Sequence, residues 1–253
     1  MSDPQRQMQF TRKGRQVEAA RARICAAVVV SLDRHGYAGT SINRVQEIAG
    51  VSRGALTHHF PSRQALVAET AGRLLQRAIG STESRRAALA RMMENAARAA
   101  GKGAADVPGA EEAGDPVAAW LLRTWDRVVN SREGRALLEI LVATRTDQEL
   151  HRVLAPELAA WDGRMSDAIL DLFTAAEGGD EEARLLWGLC RTFLRGLLIQ
   201  ERFVADPAVL QLYMQRFAAI ISPHLRLRSP ADAQQPAHRK GGAEKPAGRR
   251  KAS

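Results

Sequence analysis

Residues 36–66, GYAGTSINRVQEIAGVSRGALTHHFPSRQAL, decide the fold. Thr40 or Ser41 can cap a helix ending near Ala49, and Gly50 can close it by turning left-handed. Ser52 then caps a short helix to about His58, Pro61 interrupts, and Ser62 caps a longer helix to about Ile79. Ile42, Val45, Ile48, Val51 and Leu56 fall on the inward face of this arrangement. Two short helices joined by a tight turn at Gly50, Val51 and Ser52 form a helix-turn-helix, whose second helix offers its first residues to the major groove of DNA. Gly54 and Ala55 are small enough to let that helix sit close to the groove floor.

Working outward, alanine, leucine, arginine and glutamate dominate, and strand-like alternation is absent, so the chain reads as all-α. A helix is expected over about residues 16–35, with Val17, Ile24, Val28 and Leu32 on one face and Gly36 as its stop. After a joint at Gly80 and Ser81, further helices are expected over about 83–100, from Pro116 through Leu121, Trp125 and Val128, and over about 132–145, 148–176, 180–204 and 207–222. Residues 101–115, GKGAADVPGAEEAGD, form the clearest internal loop. This gives a basic mobile arm at 1–15, a helix-turn-helix domain at 16–80, a larger helical domain at 81–225 and a disordered basic tail at 226–253.

Hydrophobic residues make up 45% and charged residues 26%, ordinary globular values that exclude a fully disordered chain. The formal net charge of +9 is unevenly placed: +3, +4, −4 and +6 over those four segments. A basic N-terminal third beside an acidic-leaning body suits a polyanion partner, or equally a solvated surface with a charged tail. No run of 18 apolar residues suggests a membrane span, and no secretory leader pattern is visible. Cys25 and Cys190 make no disulfide framework, which fits a reducing cytoplasm, and both read as buried small residues. No GxSxG, GxxxxGK, HExxH or CxxC motif occurs. Adjacent His58 and His59 point about 100° apart on a helix, a poor metal pair. No enzyme, cofactor or metal is therefore expected.

The stretch resembles the TetR family of bacterial transcription regulators. The resemblance rests on the Gly36-Tyr37 turn, Thr40-Ser41, Ala49-Gly50-Val51-Ser52, Arg53-Gly54-Ala55-Leu56, and His59-Phe60 followed by Arg63 and Leu66. It covers about residues 16–70 in detail, and the rest only in plan. Three positions depart from the family pattern: Thr57 stands where a phosphate-binding tyrosine is usual, Gln46 replaces a small residue, and Arg63 replaces a lysine.

The resemblance implies a double-stranded, palindromic DNA operator, a homodimer and a small-molecule ligand, with no membrane. On that reading Arg53 grips guanine, Asn43 reads a base edge, and Gly54, Ala55 and the Thr57 methyl lie against the groove. Thr40, Ser41, His58, His59 and Arg63 hold phosphates, His59 being equally a packing residue beside Phe60, and Arg12, Lys13 and Arg15 enter the neighbouring minor groove or track phosphates. Trp120, Trp125, Trp161, Phe173 and Trp187 become walls of a ligand pocket, with Arg123, Arg127 and His151 as polar anchors. Leu189, Phe193, Leu197, Tyr213, Phe217 and Ile220 become the dimer seam. The expected function is a repressor released by its ligand. The alternative is a helical dimeric sensor or partner-binding protein with weak DNA affinity.

Overall fold

The computed structural model describes residues 4–80 and 115–228, with Ala87, Arg91 and Glu94 between them, and side chains from Gly14 onward. The expected helix at 83–100, the loop up to residue 114 and the tail beyond Arg228 lie outside the described residues, apart from those three positions. Nine α-helices with little sheet account for the described chain.

Helix α1 spans Pro4–Gly39, so the backbone is helical well ahead of the expected start near Gln16. Within it Gly36 adopts φ 65°, the kink that the sequence marked as a stop. Helices α2 (Ile42–Ala49), α3 (Arg53–His59) and α4 (Arg63–Ile79) follow. Each starts on a serine: Ser41, Ser52 and Ser62 accept the amides of Arg44, Ala55 and Ala65 at 3.2, 3.2 and 3.0 Å. Gly50, at φ 61°, closes α2 with its amide on the Gln46 and Glu47 carbonyls.

Beyond the internal gap come α5 (Pro116–Thr124), a wide π turn at Trp125–Val129, α6 (Arg132–Ala143) and α7 (Gln148–Leu170). Strand β1 (Phe173–Ala175), α8 (Gly179–Gln200), α9 (Pro207–Ile221), a 3₁₀ turn at Ser222–His224 and strand β2 (Leu225–Leu227) complete the described chain. The two strands correct the expectation of a helix to residue 176 and of disorder from residue 226. They pair antiparallel, Phe173 opposite Leu227 and Ala175 opposite Leu225. The Arg228 amide adds a bond to the Leu172 carbonyl at 2.8 Å, and its guanidinium pairs with Asp180. Leu172, Phe173 and Leu225 are buried, so the pair forms because it covers apolar surface.

Two cores result, and their border does not follow the expected boundary at residue 80. The first joins Ile24, Val28 and Leu32 of α1 with Val45, Leu56, Leu66 and Val67, and also takes Ala136, Ile140 and Ala143 of α6 and Leu150 and Leu154 of α7. The second joins Val117, Leu121 and Trp125 with Ile169, Phe173, Trp187, Leu194, Met214 and Ala218. Helix α6 thus lies between them, with Leu138 packed against the second. Val17 and Ile48, expected inward, are exposed. Both cysteines are buried and unpaired, and burial pushes the Cys190 thiol up to about 12.

Candidate DNA-binding surface and ligand cavity

Helix α3 is held by Leu56, fully buried, and by Phe60 at its C-terminal cap. Arg21 of α1 fixes the far end. Its Nη1 donates to the His59 carbonyl at 3.3 Å, its guanidinium lies 4.8 Å over the Phe60 ring, and Nε and Nη2 pair with Glu69. Arg73 joins the same carboxylate at 2.9 Å and reaches Glu18 at 2.7 Å. The Arg21 hydrogen bond, with Arg73 behind it, holds Glu69 below the usual carboxylate range. The recognition helix is therefore clamped at its C-terminal end and open along its N-terminal face.

That face presents Arg53, Gly54, Ala55, Thr57 and His58, all exposed, with Asn43 and Ser41 exposed on α2. A Cβ placed on Gly54 would meet nothing within 4 Å, so the chain's own packing does not require glycine there. Thr57 Oγ1 turns back to the Arg53 and Gly54 carbonyls at 3.0 and 3.2 Å. Ser41 Oγ is the α2 cap. His59 is half-buried between His58 and Phe60.

Two expected phosphate contacts have other work. Thr40 is 2% exposed, and its hydroxyl lies 2.8 Å from the Gly36 carbonyl and 3.0 Å from Ser31 Oγ, so it braces the α1–α2 corner. Arg63 stacks 3.9 Å over the Tyr37 ring and donates to the Tyr37 carbonyl. Tyr37 in turn donates its hydroxyl to Asp147 at the start of α7, and its amide to Glu139 of α6 at 3.1 Å. Burial and the Asp147 bond push the Tyr37 phenol up to about 12. Arg135 of α6 reaches Asp33 of α1 at 2.7 Å. A polar belt thus joins the helix-turn-helix to α6 and α7.

On the other side of α6 lies a largely apolar cavity of about 470 Å³, within the range of about 300–1,000 Å³ common for small-molecule sites. Gly134, Leu137, Leu138 and Leu141 of α6 line it, with Ala78 and Ile79 from the end of α4. Trp120, Trp161 and Trp187 line it as well. Phe173 stands behind them, its ring 4.8 Å from Trp120, and Trp125 is buried in the second core; neither lines the cavity. Arg123, Arg127 and His151 are exposed and do not line this cavity.

The family model for bacterial regulatory proteins of the tetR family matches residues 24–70, the span from the buried part of α1 into α4. Those residues are thus similar to the helix-turn-helix DNA-binding domain of TetR-family transcription regulators. An HTH-type transcriptional regulator of Mycobacterium tuberculosis is 25% identical over 204 residues, 81% of this chain and 93% of that one. A related protein of Mycobacterium bovis matches to the same extent. Among solved structures, a TetR-family regulator from Rhodococcus sp. is 21% identical with TM-score 0.49, covering 81% of this chain and 99% of the other. A TetR regulator from Haloarcula marismortui is 15% identical with TM-score 0.49, covering 83% and 100%.

The sequence reading missed Arg191 and Arg195, the charged residues among the described ones lining the cavity. Both guanidinium carbons lie 5.6 Å from the Trp161 ring centroid, and Arg191 Nη1 donates to Asp162 at 2.6 Å. Burial, with Arg191 one turn away, pushes the Arg195 guanidinium down. Their spacing of four on the otherwise apolar face of α8 was the available signal. In a chain with 32 arginines it did not stand out. Of the expected seam, Leu189, Tyr213 and Ile220 are exposed, Phe193 and Phe217 stack at 3.8 Å, and Leu197 is buried in its own core. Leu197 is therefore removed from the seam.

Proposed function

We propose that the protein is a homodimeric repressor that leaves a palindromic operator when a small molecule enters the cavity. The position of α6 carries this reading. One face of the helix walls the cavity through Leu137, Leu138 and Leu141, while Ala136, Ile140 and Ala143 pack beneath the helix-turn-helix. A ligand that displaces α6 must strain the Arg135–Asp33 and Glu139–Tyr37 contacts, and α1 with them. It releases DNA only if it favours a spacing of recognition helices that the operator disfavours.

The N-terminal face of α3 supports the DNA contacts: Arg53 for guanine, Gly54 and Ala55 for close approach, and Asn43 for a second base edge. Gly54 sits in the first turn of α3, where a Cβ would meet nothing of the chain's own within 4 Å. For the dimer, Leu185 and Leu189 lie two turns and one turn before Phe193 on α8, and Tyr213 and Ile220 flank Phe217 on α9. The Phe193–Phe217 stack joins them into one apolar surface that a second copy would cover by two-fold symmetry.

The test is selection of DNA from a random pool by a chain ending at Arg228, which keeps β2 and removes the basic tail. The expected product is a palindrome with half-sites about 34–36 Å apart, bound by a dimer in sedimentation. A monomer at micromolar concentration would refute the dimer. No enrichment at moderate salt would favour the sensor with weak DNA affinity, a reading supported by the inward-turned Thr57 hydroxyl. Thr57→Tyr is the variant that separates the two.

A further inference from the structure

Apart from the Thr124 hydroxyl, the polar side chains among the described residues lining the cavity carry N–H donors only. Trp161 Nε1, Trp187 Nε1 and Arg191 Nε are buried donors without an acceptor. Arg195 stands one helical turn from Arg191, against the same Trp161 ring. Asp162 bonds Arg191 through Nη1 at 2.6 Å and lends Arg195 a weaker electrostatic partner. No aspartate or glutamate is found among the described residues lining the cavity. Two guanidinium groups with one carboxylate leave an excess positive charge at one end of an apolar chamber.

We infer that the cavity takes an amphiphile with an apolar body and a single anionic head, a carboxylate, gripped by Arg195 and Arg191. This rests on the ligand-release reading above and specifies the class of ligand. Unmatched buried donors cost free energy that an acceptor recovers, and a guanidinium fork matches a carboxylate in two parallel bonds. The leucines of α6, with Met165, Ile169 and Leu198, receive the body. A cation would meet two like charges and no lining carboxylate, so cationic ligands are disfavoured.

The test uses the full chain at pH 8 with decanoate, decan-1-ol and decyltrimethylammonium, each below its micelle concentration. Binding is read from tryptophan fluorescence, since Trp120, Trp161 and Trp187 all face the cavity. Decanoate is expected to bind at least tenfold more tightly than decan-1-ol, with no detectable binding of the cation. Arg195→Gln should abolish that preference while leaving the circular dichroism spectrum unchanged. Should that variant fail to fold, Arg191→Gln must reduce the preference instead. Equal affinity for acid and alcohol, preference for the cation, or binding of none of the three would overturn the inference. Release of the selected operator DNA, read by anisotropy, is a separate arm. Arg195-dependent decanoate binding without release would leave the inference standing and overturn the ligand-release reading. Release by decan-1-ol as effective as by decanoate would do the reverse.

Discussion

Ile140 is fully buried in the core beneath the helix-turn-helix, yet it belongs to α6, far along the chain from that domain. Ile140→Ala removes three carbons. At about 0.8 kcal/mol each, the transfer part is about 2.4 kcal/mol. The site lies among α1 and α4 backbones that are themselves fixed by packing, so a cavity remains and the full cost belongs in the range of about 2–5 kcal/mol. A loss of roughly 3–4 kcal/mol is expected, read from urea denaturation at unchanged slope. Val142→Ala on the same helix, at a half-exposed position, is the control and should cost under about 0.5 kcal/mol. Hydrogen exchange locates the effect: amides of Ile24, Val28 and Leu32 in α1 should lose protection. If the variant loses less than about 1 kcal/mol, or if only amides of α8 and α9 respond, then α6 is no part of the DNA-binding domain's core and the proposed coupling fails.

Gly134→Ala places a Cβ 2.0 Å from the Val129 carbonyl oxygen, a backbone atom that cannot step aside. A loss of about 1–3 kcal/mol is expected by thermal or urea denaturation. Glu69 is held below its unfolded value, so its contribution is complete above about pH 4.3 and fades as the pH falls through the lower folded value. Removing its partner by Arg21→Gln should flatten the acid limb of a stability–pH curve, and an unchanged limb would rule the cluster out as its source. Tyr37 has the opposite sign: its contribution is whole below about pH 10 and is lost as the pH rises towards about 12. Tyr37→Phe should therefore remove alkaline sensitivity, read by the same curve. Arg53→Ala should cost roughly 1–3 kcal/mol of operator affinity and relax one base position, with affinity measured across single-base variants of the selected site.

The helix-turn-helix was legible because its signals are local. Ser41, Ser52 and Ser62 cap the helix that immediately follows each, and Gly50 turns within its own residue. Such signals need no knowledge of what lies across the chain. Thr40 was misread for the converse reason: its partner Ser31 is nine residues back and meets it only through the α1 kink. The sequence marked a helix over about 132–145 but could not say that two cores share it. Strands of three residues are too short to show alternation, so β1 and β2 were invisible. The three cavity tryptophans were found by size, while Trp125 and Phe173 show that size alone does not separate a wall from the core behind it.

The π turn at Trp125–Val129 closes with the Asn130 amide on the Trp125 carbonyl at 2.8 Å, a loop one residue longer than an α-turn. A single-residue deletion there would restore ordinary winding. Everything upstream on α5 would then rotate by about 100° and shift by about 1.5 Å along the axis. Trp120, which now contacts Phe173 and Trp187, would swing away from the chamber without itself being altered. Length polymorphism at this one turn therefore offers lineages of such regulators a route to a new effector that substitution tables overlook: the same side chains, re-aimed by register.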